Sequence, residues 1–199
     1  MNKKQFIISN NTAVGKIGEF SYISSSIYEE KKSKFYAYVF KITDGAEATH
    51  IIDSARKHFK DARHVVYAYV LENEYYYSDD GEPSGTGGKA IYGLLEKQNI
   101  INTLVIVIRY FGGILLGVGP LSRAYLKAVK LAEENLEIID YVKKTNVKLC
   151  FSYNEEPKVR NLIEKEEASI INTEYGDKVT YIISVLETKK DIFSKYESC

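Results

Sequence analysis

The sequence predicts an α+β protein made of two domains. Strand-like and helix-like segments alternate along the chain, and the pattern begins again after Asp140-Tyr141. The length of 199 residues fits one large or two small domains, because an average domain has about 150 residues. A hydrophobic fraction of 45% is typical of a folded chain with a real core. We expect a first domain over residues 19–140 and a second over 141–199, with residues 1–18 unassigned.

The first domain is predicted to open with a β-hairpin. Apolar and aromatic residues alternate or run together over 19–28 and 33–42, on either side of a polar Glu-Glu-Lys-Lys cluster. Apolar spacing then predicts, in order, a helix over 46–59, a strand over 64–71 with a tyrosine-rich continuation at 75–77, a helix over 89–98 and a strand over 103–108. The last strand is an uninterrupted apolar run, which indicates that both of its faces are covered.

The strongest helix signal follows a glycine-rich turn. Pro120 suits the first helical position, and the pattern continues to about Leu136. Helical spacing predicts one buried face, formed by Leu121, Ala124, Tyr125, Ala128 and Ala132. The same spacing places Arg123, Lys127 and Lys130 on another face.

The second domain repeats a simpler order of elements. We predict strands over 145–152, 169–175 and 178–186, a helix over 156–167 and a short helix over 189–197. This β-α-β-β-α order is typical of a ferredoxin-like domain that lacks its last strand. Either the chain ends early or the sheet closes with three strands.

The overall charge excludes two functional classes. Lys and Arg number 27, Asp and Glu also number 27, and the formal net charge is zero. This balance disfavours a globally basic nucleic-acid binder and an acidic disordered chain. A polyanion partner would therefore require a local basic patch.

One stretch could supply such a patch, since residues 97–132 contain no Asp or Glu. An anion there would meet free N–H groups at a helix start, the helix dipole and nearby arginines. The alternative, that the basic residues form an ordinary solvated helix face, stays open. The candidate anion-binding or nucleic-acid-binding residues are Arg109, Gly112, Gly113, Gly117, Gly119, Arg123, Lys127 and Lys130.

The glycine-rich turn does not match a nucleotide-binding motif. No Gly-Lys-Ser/Thr follows it, and counting from Gly117 the third glycine of a dinucleotide fingerprint is replaced by Ser122. We therefore expect no cofactor. Each glycine is also explained by a tight strand-to-helix connection.

A second cluster lies at 79–88, where Asp79, Asp80 and Glu82 stand in a turn-rich loop. Carboxylates so close together could hold a divalent cation or act as a base, but the ligand spacing of an EF-hand is absent. Ser84 has no nucleophile elbow around it. We predict no metal site and assign no catalytic residue.

Other sequence features favour a cytoplasmic protein without a membrane partner. No signal-peptide core and no run of apolar residues long enough to span a bilayer are present. Cys150 and Cys199 form neither a disulfide framework nor a Cys-x-x-Cys metal site, so we expect reduced thiols.

Four segments together resemble the IMPACT (YigZ-like) family over roughly residues 19–138. They read KKSKFYAYV, DARHVVYAYV, DDGEPSGTGG and VIRYFGGILLGVGPLSRAY. Leu115 replaces a frequent lysine of the family, which weakens the charge argument at the turn. The motif loop, whose role the resemblance leaves open, comprises Asp79, Asp80, Gly81, Glu82, Pro83, Gly85 and Thr86.

The resemblance implies a fold and a biological setting. The first domain would be similar to a ribosomal-protein fold, as in domain IV of the translocation elongation factor, with a left-handed βαβ crossover. The second would be similar to the ferredoxin-like domain V of that factor. Eukaryotic relatives regulate translation by competing for the activator of a starvation-responsive kinase, through an additional N-terminal domain that this chain is too short to contain.

Three functional hypotheses follow. The first is a non-enzymatic, translation-associated module that binds RNA or the ribosome through the basic turn and helix. The second is a protein-interaction module in stress-linked translational control. The third is an enzyme for a small anionic substrate, with Asp80 and Glu82 as base or metal ligands and Arg109 and Arg123 as the anion clamp.

Overall fold

The computed structural model describes residues 4–9 and 12–197 and divides into two compact units, Met1–Tyr141 and Val142–Cys199. No helix among these residues is both long and apolar enough to cross a membrane. The expectation of reduced thiols concerns Cys150 and Cys199. Cys199 lies outside the described residues.

The first unit combines short strands with three helices. Its strands are β1 (Phe6–Ile8), β2 (Gly15–Ile17), β3 (Phe20–Tyr22), β4 (Ser24–Glu30), β5 (Ser33–Lys41), β6 (His64–Val70), β7 (Tyr75–Ser78), β8 (Thr103–Tyr110) and β9 (Ile138–Asp140). Its helices are α1 (Gly45–His58), α2 (Gly88–Gln98) and α3 (Val118–Glu133). The predicted hairpin, the first two helices and the buried strand are all present.

A five-stranded sheet forms the centre of this unit, in the order β4-β5-β8-β6-β7. Every neighbouring pair is antiparallel, so β5 and β6 run parallel to each other with β8 between them. α1 connects β5 to β6 and therefore makes a split βαβ unit. The sheet places the central strand β8 in the interior, as its continuous apolar run predicts.

The two faces of the sheet bury separate clusters. One face packs against α2 and α3, and its core includes Phe35, Val107 and Tyr125. The other packs against α1, and its core includes Ile51 and Ile106. Since successive strand residues point to opposite faces, β8 contributes to both clusters.

Local sequence explains where the helices begin. Asp44 caps α1, because its side chain accepts a hydrogen bond from the Glu47 amide at 2.8 Å. α3 begins at Val118, two residues before the predicted start, so Pro120 is the third helical residue rather than the first. The helix also ends at Glu133, before the predicted end near Leu136.

The chain ends of the first unit meet in a small sheet. β1 pairs antiparallel with β9, with Phe6 opposite Asp140 and Ile8 opposite Ile138. Ile8 is 2% exposed and belongs to the core that α2 and α3 cover. Part of the segment that the sequence left unassigned therefore belongs to the first unit.

The second unit has the predicted β-α-β-β order, with β10 (Lys144–Phe151), α4 (Glu156–Lys165), β11 (Ser169–Tyr175) and β12 (Val179–Leu186). Short 3-10 helices span Tyr153–Glu155 and Glu187–Tyr196, the second in place of the predicted final helix. β12 lies between β10 and β11, and among the described residues the sheet closes with these strands. As far as residue 197, the unit is thus a ferredoxin-like arrangement without a fourth strand.

Candidate functional site

The acidic loop at 79–88 is folded around its own carboxylates. Asp79 accepts hydrogen bonds from the amides of Gly85 at 2.8 Å and Gly87 at 2.9 Å. Gly87 is the residue that precedes α2, so the carboxylate lies at the positive end of this helix. Asp79 therefore fixes the path of the loop into α2.

The neighbouring carboxylate, Asp80, binds a different set of partners. It forms an ion pair with Arg56 at 2.7 Å and accepts a hydrogen bond from the Val65 amide at 2.6 Å. Its carbonyl oxygen lies 2.7 Å from Nδ1 of His64. Asp80 thus ties the loop to β6 and to the last turns of α1.

Glu82 lies at the centre of a buried polar cluster. Nη1 of Arg109 is 2.5 Å from Oε1 of Glu82, and the two side chains are only 6% and 4% exposed. Tyr125 donates a hydrogen bond to the same oxygen at 2.7 Å, and Nε2 of His64 lies 3.7 Å from Oε2. Burial and the adjacent Glu82 charge raise the pKa of Tyr125. The acidic loop, β8 and α3 meet here.

The environment of Arg109 differs from the one predicted for an anion-binding residue. Its guanidinium lies 5.4 Å from the ring of Phe35, and the residue is 5% exposed. Nη2 is 3.5 Å from Oγ of Ser33, while Nε has no hydrogen-bond partner among the described residues. Since its charge is already paired with Glu82, Arg109 is placed to hold the fold rather than to meet an external anion.

The other residues of the acidic loop shape its turns. Gly81 and Gly85 have φ values of +81° and +82°, a region that favours glycine. Thr86 is buried and donates a hydrogen bond from Oγ1 to the carbonyl of Pro83 at 2.6 Å. No group of three or more His, Cys, Asp and Glu residues that could hold a metal occurs within the described part of the chain.

The glycine-rich turn between β8 and α3 depends on close backbone packing. A Cβ on Gly112 would lie 2.1 Å from the carbonyl carbon of Lys32, and the Gly112 amide donates to Oγ of Ser33 at 3.1 Å. Gly113 and Gly117 have φ values of +83° and +81°. The turn thus brings the β4–β5 hairpin against the start of α3.

The predicted basic face of α3 is present and open to solvent. Arg123, Lys127 and Lys130 are exposed and form no ion pair within residues 4–9 and 12–197. They line a groove of about 560 Å³ beside β4, together with Lys31 and the carboxylate of Glu30. We call this surface, defined by Arg123, Lys127, Lys130 and Lys31, the basic face.

Arg123 lies close to the first turn of α3. A Cβ built on Gly119 would be 3.4 Å from Nη1 of Arg123, so the guanidinium lies over the helix start. This turn contains no acidic residue, and no side chain caps the N-terminus. A cation beside the positive end of the helix dipole is unfavourable until an anion joins it. The position of Arg123 at the helix start therefore favours the addition of a negative charge there.

Sequence reasoning missed two features next to the basic face. The first is a set of exposed apolar residues on the turn, with exposed fractions of 46% for Phe111, 45% for Ile114, 84% for Leu115 and 62% for Val118. The second is the pair Lys31 and Lys32, which have left-handed φ values of 46° and 65°. The run of apolar letters between glycines was a signal for the first feature, since a short turn has no core to bury them.

Comparison with known proteins gives consistent results over both units. Residues 31–132 match the family model of the Impact N-terminal domain, and residues 149–195 match a domain of unknown function, DUF1949. The chain is 33% identical over 179 residues to an IMPACT family member of Haemophilus influenzae, covering 86% of each protein. It is also 33% identical over 174 residues to the IMPACT family member YigZ of Escherichia coli, covering 84% of this chain and 85% of YigZ.

A solved structure of similar fold covers nearly the whole chain. The crystal structure of a hypothetical protein aligns with 98% of this chain and 91% of its own, with a TM-score of 0.67 and 27% sequence identity. The motif residues described above lie within the segment that matches the Impact N-terminal domain. These matches show that the chain belongs to the IMPACT family.

Proposed function

We propose that this protein is a non-enzymatic, translation-associated module that binds RNA or the ribosome through the basic face. The observation that carries the proposal is the exposed set of Arg123, Lys127 and Lys130, which form no ion pair in the described part of the chain. Surface cations without carboxylate partners bind phosphate by releasing its counterions. Family membership supports the translational setting. A cytoplasmic location is part of the proposal.

The glycine-rich turn supports this binding surface indirectly. Gly112, Gly113 and Gly117 place the start of α3 beside the β4–β5 hairpin, so that Lys31 joins the cations of the helix. Arg109 contributes indirectly. It forms an ion pair with Glu82, which accepts a hydrogen bond from Tyr125, and these contacts hold the acidic loop against α3. In this proposal the motif loop holds the basic face in place, and α3 contacts the RNA or the ribosome.

The experiment is a salt titration of RNA binding by fluorescence anisotropy. Four phosphate contacts on a single strand, one for each cation of the basic face, give a log–log slope of about −2.8. Arg123→Glu/Lys127→Glu leaves two of these cations, so it should weaken binding and reduce the slope to about −1.4. Lys158→Glu/Lys165→Glu is the matched control, because it makes the same charge change on exposed positions of α4. Equal binding by both variants would overturn the proposal.

A second candidate function, a protein-interaction module in translational control, is favoured by the exposed apolar turn. Leu115 is 84% exposed and Val118 62% exposed, and neighbouring exposed apolar residues are typical of protein-binding surfaces. Leu115→Asp/Val118→Asp should abolish retention of a defined partner after nuclease treatment, while RNA binding persists. A partner that is lost on nuclease treatment would count against this candidate.

The geometry gives less support to the enzymatic alternative. Asp79 binds backbone amides, Asp80 binds Arg56 and Glu82 binds Arg109. A general base or anion clamp needs groups directed at a substrate, whereas these carboxylates and the Arg109 guanidinium are bonded to one another or to the backbone. A panel of phosphorylated metabolites and Mg²⁺ in a thermal-shift assay tests this alternative.

A further inference from the structure

An aromatic slot lies on the sheet face opposite α3. Its cavity measures about 530 Å³, which falls in the size range of small-molecule pockets. The lining residues are lysines and aromatics, namely Lys32, Lys34, Tyr36, Tyr38, Phe59 and Tyr110. No carboxylate lines it.

The slot is open because α1 covers only part of this face. The helix ends at His58, and Phe59 stacks on Tyr38 with ring centroids 5.7 Å apart. Beyond this point Tyr36 and Tyr110 meet edge to face at 5.8 Å. On the edge strand β4, Ile27 lies opposite Tyr36 and is 64% exposed. The slot thus presents half-buried aromatic rings, beside the exposed Ile27, beyond the end of α1.

Positive charge lies at the mouth of the slot. Lys32 and Lys34 line it and are exposed. Two acidic groups lie at its margin: Asp61 accepts a hydrogen bond from Tyr110 at 3.1 Å, and Glu29 lies opposite Lys34 across the strands. Aromatic rings beside lysines are the elements with which proteins bind single-stranded nucleic acid, since bases stack on the rings and phosphates meet the cations.

The β4–β5 hairpin connects the slot to the basic face. Lys31 lines the groove beside α3, and the next residue, Lys32, lines the slot. Both occupy left-handed backbone conformations, in a two-residue turn where Asn and Gly are strongly preferred. Strain of this kind persists only where the surrounding structure fixes it, and it is concentrated at functional sites. Here the two lysines extend one positive path from α3 to the slot.

We propose that the aromatic slot binds an unpaired base of single-stranded RNA, whose backbone continues over Lys31 and Lys32 onto the basic face. This inference rests on the proposed function, and it adds the substrate class and a second contact site. A duplex would not be accepted in the slot, because its bases are paired and stacked internally. The stacking face is common to all bases, so sequence preference is weak.

The chain contains no tryptophan, which permits a direct reporter. Tyr36→Trp places a single tryptophan in the slot, and Tyr153→Trp places one at an exposed position of the second unit. Each is titrated with a single-stranded oligouridylate of about 12 nucleotides and with the duplex of the same length. The proposal predicts saturable quenching of the Tyr36→Trp emission by the single strand only. The Tyr153→Trp emission should not change.

Two further variants test the slot by affinity. Tyr36→Leu/Tyr110→Leu keeps apolar bulk but removes the rings, and it should weaken single-strand binding about tenfold. Lys31→Asn/Lys32→Gly relieves the turn while removing both charges, so weaker binding cannot be ascribed to misfolding. This second variant and the tryptophan reporter remain informative if the tyrosine double variant does not fold.

The outcomes separate the slot from the basic face. Loss of binding in Arg123→Glu/Lys127→Glu, with no quenching of Tyr36→Trp and full affinity in Tyr36→Leu/Tyr110→Leu, would overturn the slot and leave the proposed function standing. Binding to ribosomes or duplex RNA, but to no single strand, would likewise overturn the slot and leave the proposed function standing. No binding to any RNA or ribosome would overturn both.

Discussion

Glu82 and Arg109 form a buried ion pair, with Nη1 of Arg109 2.5 Å from Oε1 of Glu82. The pair joins the acidic loop to the central strand, and Tyr125 extends it to α3 by donating to the same carboxylate oxygen. The side chains of Glu82 and Arg109 are only 4% and 6% exposed, and Tyr125 is fully buried. In our proposal these motif residues support the fold under the basic face, and the basic face itself contacts RNA or the ribosome.

Removing one charge of the pair should destabilise the first unit strongly. Glu82→Gln leaves the buried guanidinium of Arg109 without its counter-charge, and we expect a loss of about 3 kcal/mol in the free energy of unfolding. Urea denaturation measures this loss in the free energy of unfolding. The double variant Glu82→Gln/Arg109→Met should recover most of the loss, because no unpaired charge remains buried. A loss in Glu82→Gln no greater than that of a surface substitution would contradict this role.

The change in the free energy of unfolding on replacing a glycine by alanine should depend on the space around the glycine and on its backbone conformation. Gly112→Ala should cost about 3 kcal/mol, since its Cβ would overlap the backbone of Lys32. Gly113→Ala meets no atom within 4 Å, but its φ of +83° should cost about 1 kcal/mol. Gly93→Ala, in the middle of α2 with open space around it, should stabilise by about 0.5–1 kcal/mol. Thermal unfolding of the three variants gives the order, and a different order would contradict the packing described here.

The hairpin turn should gain stability when its lysines are replaced by residues suited to left-handed backbone. Lys31→Asn/Lys32→Gly should raise the free energy of unfolding by about 1 kcal/mol. Lys31→Ala/Lys32→Ala removes the same charges without relieving the strain, and it should bring no gain. A rise of equal size in both variants would point to charge repulsion instead of backbone strain.

The first unit should lose stability in alkaline solution. Burial raises the pKa of Tyr38 to about 12, and burial with the hydrogen bond to Glu74 raises that of Tyr69 to about 12. Unfolded tyrosines release their protons from about pH 10, whereas the folded ones hold them until about pH 12. The folded state binds more protons in this window, so stability is complete below about pH 10 and falls as the pH rises through it.

Urea denaturation between about pH 9 and about pH 12 checks this dependence. Tyr38→Phe should lose less stability across the window than the wild type, because it removes one of the groups that titrate differently in the two states. An identical pH profile for both proteins would rule out a contribution from Tyr38.

Apolar periodicity was sufficient to predict most helices and strands, since these elements are set by local spacing. The buried face of α3 contains all five residues that the spacing predicted, namely Leu121, Ala124, Tyr125, Ala128 and Ala132. The pairing of β1 with β9 could not be predicted, because it joins residues more than a hundred positions apart that carry no matching local signal.

The site was harder to predict because its chemistry depends on tertiary contacts. Arg109 looked like a surface cation in an acid-free stretch, yet its partner Glu82 lies 27 residues earlier and reaches it only when the acidic loop packs on β8. One available signal was its position, directly after the apolar run 103–108 that predicts a strand covered on both faces; in the structure Arg109 lies within β8 and is buried. Lys31 and Lys32 gave no signal, since only the backbone conformation shows the strain.

The central claim is that the basic face brings this protein to a polyanion of the translation apparatus. Co-sedimentation with ribosomes at low and moderate salt tests it most directly, comparing the wild type with Arg123→Glu/Lys127→Glu and with Lys158→Glu/Lys165→Glu after each is shown to be folded. We predict pelleting of the wild type and of the α4 variant at low salt, reduced at moderate salt, and no pelleting of the α3 variant. Absence of wild-type pelleting at any salt, or equal pelleting of both variants, would contradict the claim.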